Sequence, residues 1–500
     1  MSIDTTLSLP TANLFVDAPG ALTFGSGSSV TVDKAVVNAT GLINANGVIT
    51  ANTLQFNSET GVQMNNKIGT LGVLNVFAPT FMTTAPIAVT GGTLQIGAGG
   101  IDSNDLDLTG FDTINSQSSI STGNVLVRGD ITTAGAIDLD AAAPHTITAT
   151  NIRAAGGIEN SGDAGFLLSP PKAGGTLTLD AAQVVFDTTG INGANFNGGD
   201  AGLSISPTGG DGGTLNIGTA AKPIPGKVWI GAPISATTGA NAIFVLTGGK
   251  GGAVNAEAAD SIAVSSTVKV SDAAYVSDAA GNPTSTKTGR GSSQGGNISL
   301  HSTKTTGTAI DVQSTAQLLS LLSAAAPGPG GTIKFVSEGG DISVDNGNGT
   351  SGSTTSTGKI WADKGTVHIQ NNGTNGRVMI NNANIRGDVV KIGALGANGQ
   401  LIVGGGTINA DTSLKLYGGS SNGSVRFTDN VTLGGNSTKT IAGKTVTIDN
   451  GKVVTVGGTS AANVHTDNPN YTGSGGNGSQ TGTFGGKGAT TSSFSSRPAF

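Results

Sequence analysis

Apolar and polar positions alternate along this chain in short runs, and many runs open on paired glycines. The recurring phrase is Gly-Gly, a small residue, then apolar, polar, apolar. It stands at residues 91–96 (GGTLQI), 174–179 (GGTLTL), 212–217 (GGTLNI), 251–256 (GGAVNA), 295–300 (GGNISL), 330–335 (GGTIKF), 339–344 (GGDISV) and 405–410 (GGTINA). Strict alternation predicts a half-buried strand, because side chains two apart share a face. Leu94, Leu177, Leu215, Val254, Ile298 and Ile333 in the fourth slot, and Ile96, Leu179, Ile217, Ala256, Leu300 and Phe335 in the sixth, are the predicted core. Gln95, Thr178, Asn216, Asn255, Ser299 and Lys334 lie between them and are predicted to face solvent. The glycines permit positive φ, so each phrase reads as a sharp corner followed by a strand.

From residue 174 the phrase returns after 38, 39, 44 and 35 residues. A period of this size marks stacked repeats, since one short strand cannot bury its apolar face alone. Further strand-like runs lie between the phrases at 183–186, 228–230, 243–246 and 261–264, and the same rhythm continues through 366–456. Two strands of one face per period read as two coils of roughly 20 residues. The fold expected is all-β: a parallel β-helix, or β-solenoid, with roughly 20-residue coils and short loop insertions. Some ~20 coils at about 4.8 Å would make a rod on the order of 100 Å. A set of β-sandwiches fits less well, because no Trp- or Tyr-centred core is visible.

The chain divides by this pattern. Residues 1–170 are an irregular solenoid segment, 171–345 the regular Gly-Gly segment, 346–358 a flexible loop, 359–458 a second solenoid segment and 459–500 a Gly/Ser/Thr-rich tail expected to be disordered. Residues 279–296 form a second flexible excursion. Residues 314–326 (STAQLLSLLSAAA) carry an N-cap and helix formers and stop at Pro327, which predicts a short helix.

Composition supports folded β structure over disorder. Glycine is 82 of 500 residues, yet apolar residues are 36% and charged residues only 11%. There is no cysteine, which removes disulfides and thiolate metal sites. The net charge of −6 splits into 8 basic and 17 acidic residues over 1–250, and 17 basic and 14 acidic after that. Neither half is read as a clustered basic footprint for nucleic acid. The start, Met1-Ser2-Ile3-Asp4, lacks the basic and apolar regions of a secretory signal, and no run approaches the ~18 apolar residues of a membrane helix. Either the chain is cytoplasmic or it is an internal piece of something larger, and the piece is the reading favoured.

Candidate chemistry is thin. Two Arg-Gly-Asp triplets, Arg128-Gly129-Asp130 and Arg386-Gly387-Asp388, are the candidate adhesion corners; an equivalent strand-to-strand corner of the repeat is the favoured explanation of both, ahead of integrin-type recognition. Parallel β-helices also suit polysaccharide lyases and hydrolases, which need converging carboxylates. Asp102, Asp105 and Asp107 cluster, and Asp138 and Asp140 share a strand face, but no base stands beside either group in sequence. His145, His301, His368 and His465 are far apart and show no zinc spacing. The calcium nonapeptide fails at Thr214, and EF-hand spacing is absent. The Asn-x-Ser/Thr sequons, such as Asn348, Asn372 and Asn436, follow from abundant Asn, Ser and Thr. No catalytic, metal or cofactor site is assigned.

The GGNISL phrase at 295–300, with its GGTL relatives, resembles the repeats of filamentous haemagglutinin-like adhesins, bacterial exoproteins of the two-partner secretion type. The resemblance covers about residues 90–456. It implies a right-handed parallel β-helix, export across the outer membrane through a secretion partner, a secreted or cell-surface location, and roles in adhesion or biofilm. It lies in repeat style, since the family's signal, secretion domain and anchor are not recognisable here. The expected function is a non-catalytic adhesin or structural stalk, holding host or neighbouring-cell glycans or proteins by many weak contacts, with no nucleic acid and no membrane insertion. The alternatives are a polysaccharide-acting β-helix enzyme and a self-associating filament or sheath subunit.

Overall fold

In the Gly-Gly strands the alternation becomes an inside and an outside. Leu177, Leu215, Val254, Ile298 and Ile333 are fully buried, as are Leu179, Ile217, Ala256 and Phe335, while Lys334 is exposed. The computed structural model describes the chain except residues 66–70, 84–88, 109–112, 117–119, 128–129, 140, 168, 202, 205–207, 240–248, 272–274, 278–282, 287–291, 323–327, 346–357, 472–481 and 497. Residues 94 and 96 lie in a strand whose side chains are outside the described set. The chain is a parallel β-helix in which strands of successive coils pair in register. It forms two units, one of Met1–Asn160 with Gly175–Asn195 and one of Ser161–Gly174 with Phe196–Phe500.

The first unit has coils of the expected length. Asp17 pairs with Asn38 and Asn38 with Asn57, steps of 21 and 19 residues. Long strands such as Ser29–Ala39 and Val48–Ser58 run through corners, where Asn52 donates to Asp33 at 2.7 Å.

The second unit departs from the expected two coils per Gly-Gly period. Strands Thr214–Ile217, Ala253–Ala258, Asn297–Ser302 and Thr332–Ser337 stack directly on one another. Val228–Ile230, Ile262–Val264, Thr308–Val312 and Asp341–Asp345 form a second stack, and Ile234–Ser235, Thr267–Ser271, Gln317–Ser320 and Lys359–Asn371 a third. One period is thus one three-faced coil, lengthened by loops to steps of 39, 44 and 35 residues. The phrase at 339–344 belongs to the second face. Further on the coil shortens to 23 or 24 residues.

The paired glycines work by close approach. None of Gly174, Gly212, Gly251, Gly295 and Gly330 has positive φ. A Cβ on Gly251 would lie 2.5 Å from the Gly296 nitrogen, one on Gly295 2.0 Å from that of Gly331, and one on Gly330 2.2 Å from that of Gly365. Consecutive coils therefore touch backbone to backbone at this corner, and only glycine leaves room. Gly405 and Gly406, at φ 104° and 90°, do meet the positive-φ expectation.

Two local expectations are corrected. Residues 317–320 are a strand, with Leu318 fully buried, because Thr267–Ser271 and Lys359–Ala362 hydrogen-bond to it from both sides. That pairing overrides the helix propensity of Leu and Gln. The tail is ordered over its described residues: Thr483–Gly486 pairs with Val453–Val456, and Ala489–Ser492 with Ala462–His465. Phe484 is buried edge-on to Phe427. The excursion at 279–296 contributes Pro283–Thr286 to an antiparallel hairpin with Tyr275–Ser277. The expected loop at 346–358 lies outside the described residues apart from Gly358.

Lys439 is a polar exception inside the second unit. It occupies an inward slot opposite Leu414, fully buried, and its ammonium donates to the carbonyls of Gly435 (2.9 Å) and Ser437 (3.2 Å). Burial holds it below the ordinary lysine range. Below the folded value both states are protonated and the penalty is complete. As pH rises from there towards 10.5 the unfolded chain binds more protons, so stability rises. Urea titrations across that window should show the rise in wild type and a flatter profile in Lys439→Met.

Candidate functional site

Side chains at outward positions fall into columns, because the coils stack in register. In the first unit Asp17, Asn38, Asn57 and Phe77 form one column. Asn57 donates to Asn38 at 2.6 Å and Asn38 to Asp17 at 2.5 Å. Beside it runs an open groove of about 530 Å³, lined by Asp17, Asn38, Asn57, Glu59 and Phe77 among others. Phe15, on the next outward position of the same strand as Asp17, is 67% exposed.

In the second unit acids pair with cations one coil away. Arg426 holds Asp449 through two bonds of 2.9 Å, Arg377 bonds Asp341, Lys452 bonds Asp429 at 2.9 Å, and Lys304 bonds Asp260 at 2.6 Å. The Lys452 bond holds Asp429 below the usual carboxylate range, as Lys304 does for Asp260. Other Asp and Asn side chains cap the next coil's backbone: Asp211 accepts from the Lys250 N–H at 2.6 Å and Asn297 from that of Thr332 at 2.9 Å. These carboxylates and amides are staples of the stack. A groove of about 690 Å³ at Arg426, Asp449 and Lys452 is lined by charges already paired.

The Arg-Gly-Asp triplets come out differently from each other. Arg128 and Gly129 lie outside the described residues, while Asp130 opens strand Asp130–Thr133 and accepts from Asn151 at 2.9 Å. The second triplet lies at a corner, where the register shifts between Gly387 and Val389. Arg386 is bound there, with its Nε 3.3 Å from the buried Asp363 carboxylate and its guanidinium 5.8 Å from the Trp361 ring. Asp388 accepts from the Thr412 hydroxyl.

The other candidates are not brought together. Asp102, Asp105 and Asp107 lie in strand Val89–Leu108, whose side chains are outside the described set; Asp138 is exposed, and Asp140 is not among the described residues. His145 is buried opposite Leu177. The ring nitrogens of His301 face Glu257 (2.6 Å) and Glu338 (3.1 Å), and His465 contacts Ser492 and Ser496. His368 is bonded to Gln370 at 2.8 Å, and burial holds its imidazole below the ordinary range. Among the described residues no group of three or more His, Asp or Glu is placed to hold a metal ion, and no helix is long and apolar enough to cross a membrane.

Sequence reasoning missed a file of three lysines and a histidine. Lys334 pairs with His368, His368 with Lys391 and Lys391 with Lys415. Lys334 stood out as an outward residue, but its partners follow at unequal steps, so only the register reveals the column. No family model, curated protein or solved structure matches the chain.

Proposed function

We propose that this chain is a non-catalytic structural or adhesive stalk, secreted or displayed at a bacterial surface, that acts through many weak contacts. One observation carries the reading: outward side chains stand in columns, coil after coil, while several acids of the second unit, among them Asp341, Asp429 and Asp449, are spent on cations one coil away. Polar side chains presented in columns on stacked coils suit avidity, where linked weak contacts exceed a single contact by ~10²–10⁴. The partners that fit are surface glycans or proteins. Beads coated with the chain should adhere to cells or to a glycan panel at least about a hundredfold more strongly than the free chain binds. Equal binding by beads and free chain would sink the multivalent mechanism.

The groove beside Asp17 and Glu59 favours a second reading, a polysaccharide-acting enzyme, because two carboxylates and an aromatic side chain line it. Release of sugar fragments that stops in both Asp17→Asn and Glu59→Gln would replace the stalk reading with this one.

A further inference from the structure

Four successive coils of the second unit carry a basic residue at the same outward position: the lysines Lys334, Lys391 and Lys415, with His368 between the first two. At a coil rise of about 4.8 Å, Lys334 and Lys415 stand roughly 14 Å apart. The same column is neutral before and after, with Asn216, Asn255 and Ser299 on one side and Thr440 on the other. Like charges directly opposite each other on neighbouring strands are destabilising. The arrangement is also unlike its surroundings. Arg377, Arg426, Lys444 and Lys452 each have an acid one coil away, whereas Lys334, Lys391 and Lys415 have no ion pair among the described residues. Glu257 and Glu338 are engaged with His301. Burial lowers both Lys415 and His368, and Lys391 pushes each the same way.

A second observation shows what such a column can hold. Residues 498–500 of the tail already lie on it. Lys415 donates to the Ala499 carbonyl at 2.6 Å and the Tyr417 hydroxyl to that of Pro498 at 2.8 Å. The Phe500 ring packs 5.1 Å from Tyr417 and 5.5 Å from His368, and lies 5.8 Å from the Lys391 ammonium. It sits over Gly393, where a Cβ would come 3.0 Å from the ring. The surface therefore receives a linear chain that offers acceptor oxygens and a flat apolar face.

We propose that the Lys334–His368–Lys391–Lys415 column is a binding track for a linear polysaccharide bearing one carboxylate per sugar, laid along the stack of coils, and that residues 498–500 cover part of it. The proposal rests on the adhesive reading and names its ligand class. The three ammonium groups of Lys334, Lys391 and Lys415, with the His368 ring as a hydrogen-bonding member between the first two, match carboxylates set in a single file. Lysine is a point charge without the fork that clamps phosphate bidentately. Single-stranded nucleic acid would need an aromatic platform for successive bases. Here Tyr417 is buried and Phe500 belongs to the tail.

The test uses the full chain and immobilised polygalacturonate. Wild type should bind with an affinity that falls as salt rises. Lys334→Gln/Lys391→Gln/Lys415→Gln should lose about tenfold or more, and Phe500→Ala should gain several-fold. Lys222→Gln/Lys227→Gln/Lys250→Gln, the same charge change at exposed sites, should lose less than about threefold. The column variant should melt no lower than wild type, which separates lost binding from lost folding. Equal losses in the two triple variants, no binding by wild type, or tighter binding of heparin or single-stranded DNA would each overturn the track. Bead adhesion, run in parallel, separates the two readings. Adhesion that survives the column variant sinks the track alone, and wild-type beads that do not adhere sink the stalk.

Discussion

Gly330→Val should unfold the stacked coils of the second unit at temperatures where wild type is intact. A Cβ at this position would lie 2.2 Å from the Gly365 nitrogen, 2.2 Å from the Lys364 carbonyl carbon and 2.3 Å from the Asp363 carbonyl oxygen. All three are backbone atoms of the next coil, so no rotamer change relieves the clash. The coils must part locally, and the bonds around the corner, such as Gly330 N–H to Lys364 O at 3.2 Å and Thr366 N–H to Gly331 O at 2.9 Å, go with it. Overpacking costs about 1–3 kcal/mol and each of the two lost backbone bonds about 1 kcal/mol, so a penalty of roughly 3–5 kcal/mol is expected. Gly27→Ala supplies the control, since a Cβ there meets nothing within 4 Å; it should change stability by no more than about 0.5 kcal/mol. Urea unfolding followed by circular dichroism measures both. A Gly330→Val protein as stable as wild type would mean that the coils do not meet at this corner.

What was legible in the sequence was the side of each strand. Alternation placed Ile298, Leu300, Ile333 and Phe335 inside and Lys334 outside, and all five are found there. Coil size in the second unit was not legible, because the paired glycines mark the first face in most coils but the second face at 339–344. Strands such as Ile262–Val264 and Thr308–Val312 lack that mark, and a second apolar run within a period looks like a second coil. Residues 317–320 show the limit of local propensity: Leu and Gln favour helix by tenths of a kcal/mol, while a strand paired on both sides gains a ladder of bonds. The basic column was hidden for a related reason. Lys334, His368, Lys391 and Lys415 are neighbours only through registers whose steps depend on loop lengths.

Arg386→Ala separates the two meanings of the second Arg-Gly-Asp triplet. Asp363 is 4% exposed and Arg386 36%, so the pair joins a buried carboxylate to a partly wet guanidinium. The carboxylate also accepts from the Leu322 N–H at 3.3 Å, and the Arg386 guanidinium lies over Trp361, itself buried. Removing the arginine leaves a buried charge short of its cation, which costs 3–5 kcal/mol for fully buried pairs. The solvent around Arg386 reduces that to about 2 kcal/mol. Arg386→Lys should recover only part of the loss, because an ammonium cannot both stack on Trp361 and present Nε to Asp363. Asp388→Ala, which gives up only the bond from Thr412 at an exposed corner, should cost less than about 1 kcal/mol. If the triplet were an adhesion motif, the ranking would differ: Arg386→Ala and Asp388→Ala would abolish cell attachment together and leave the unfolding midpoint in place. A falling midpoint for Arg386→Ala, with attachment unchanged in Asp388→Ala, assigns the triplet to the corner that it builds.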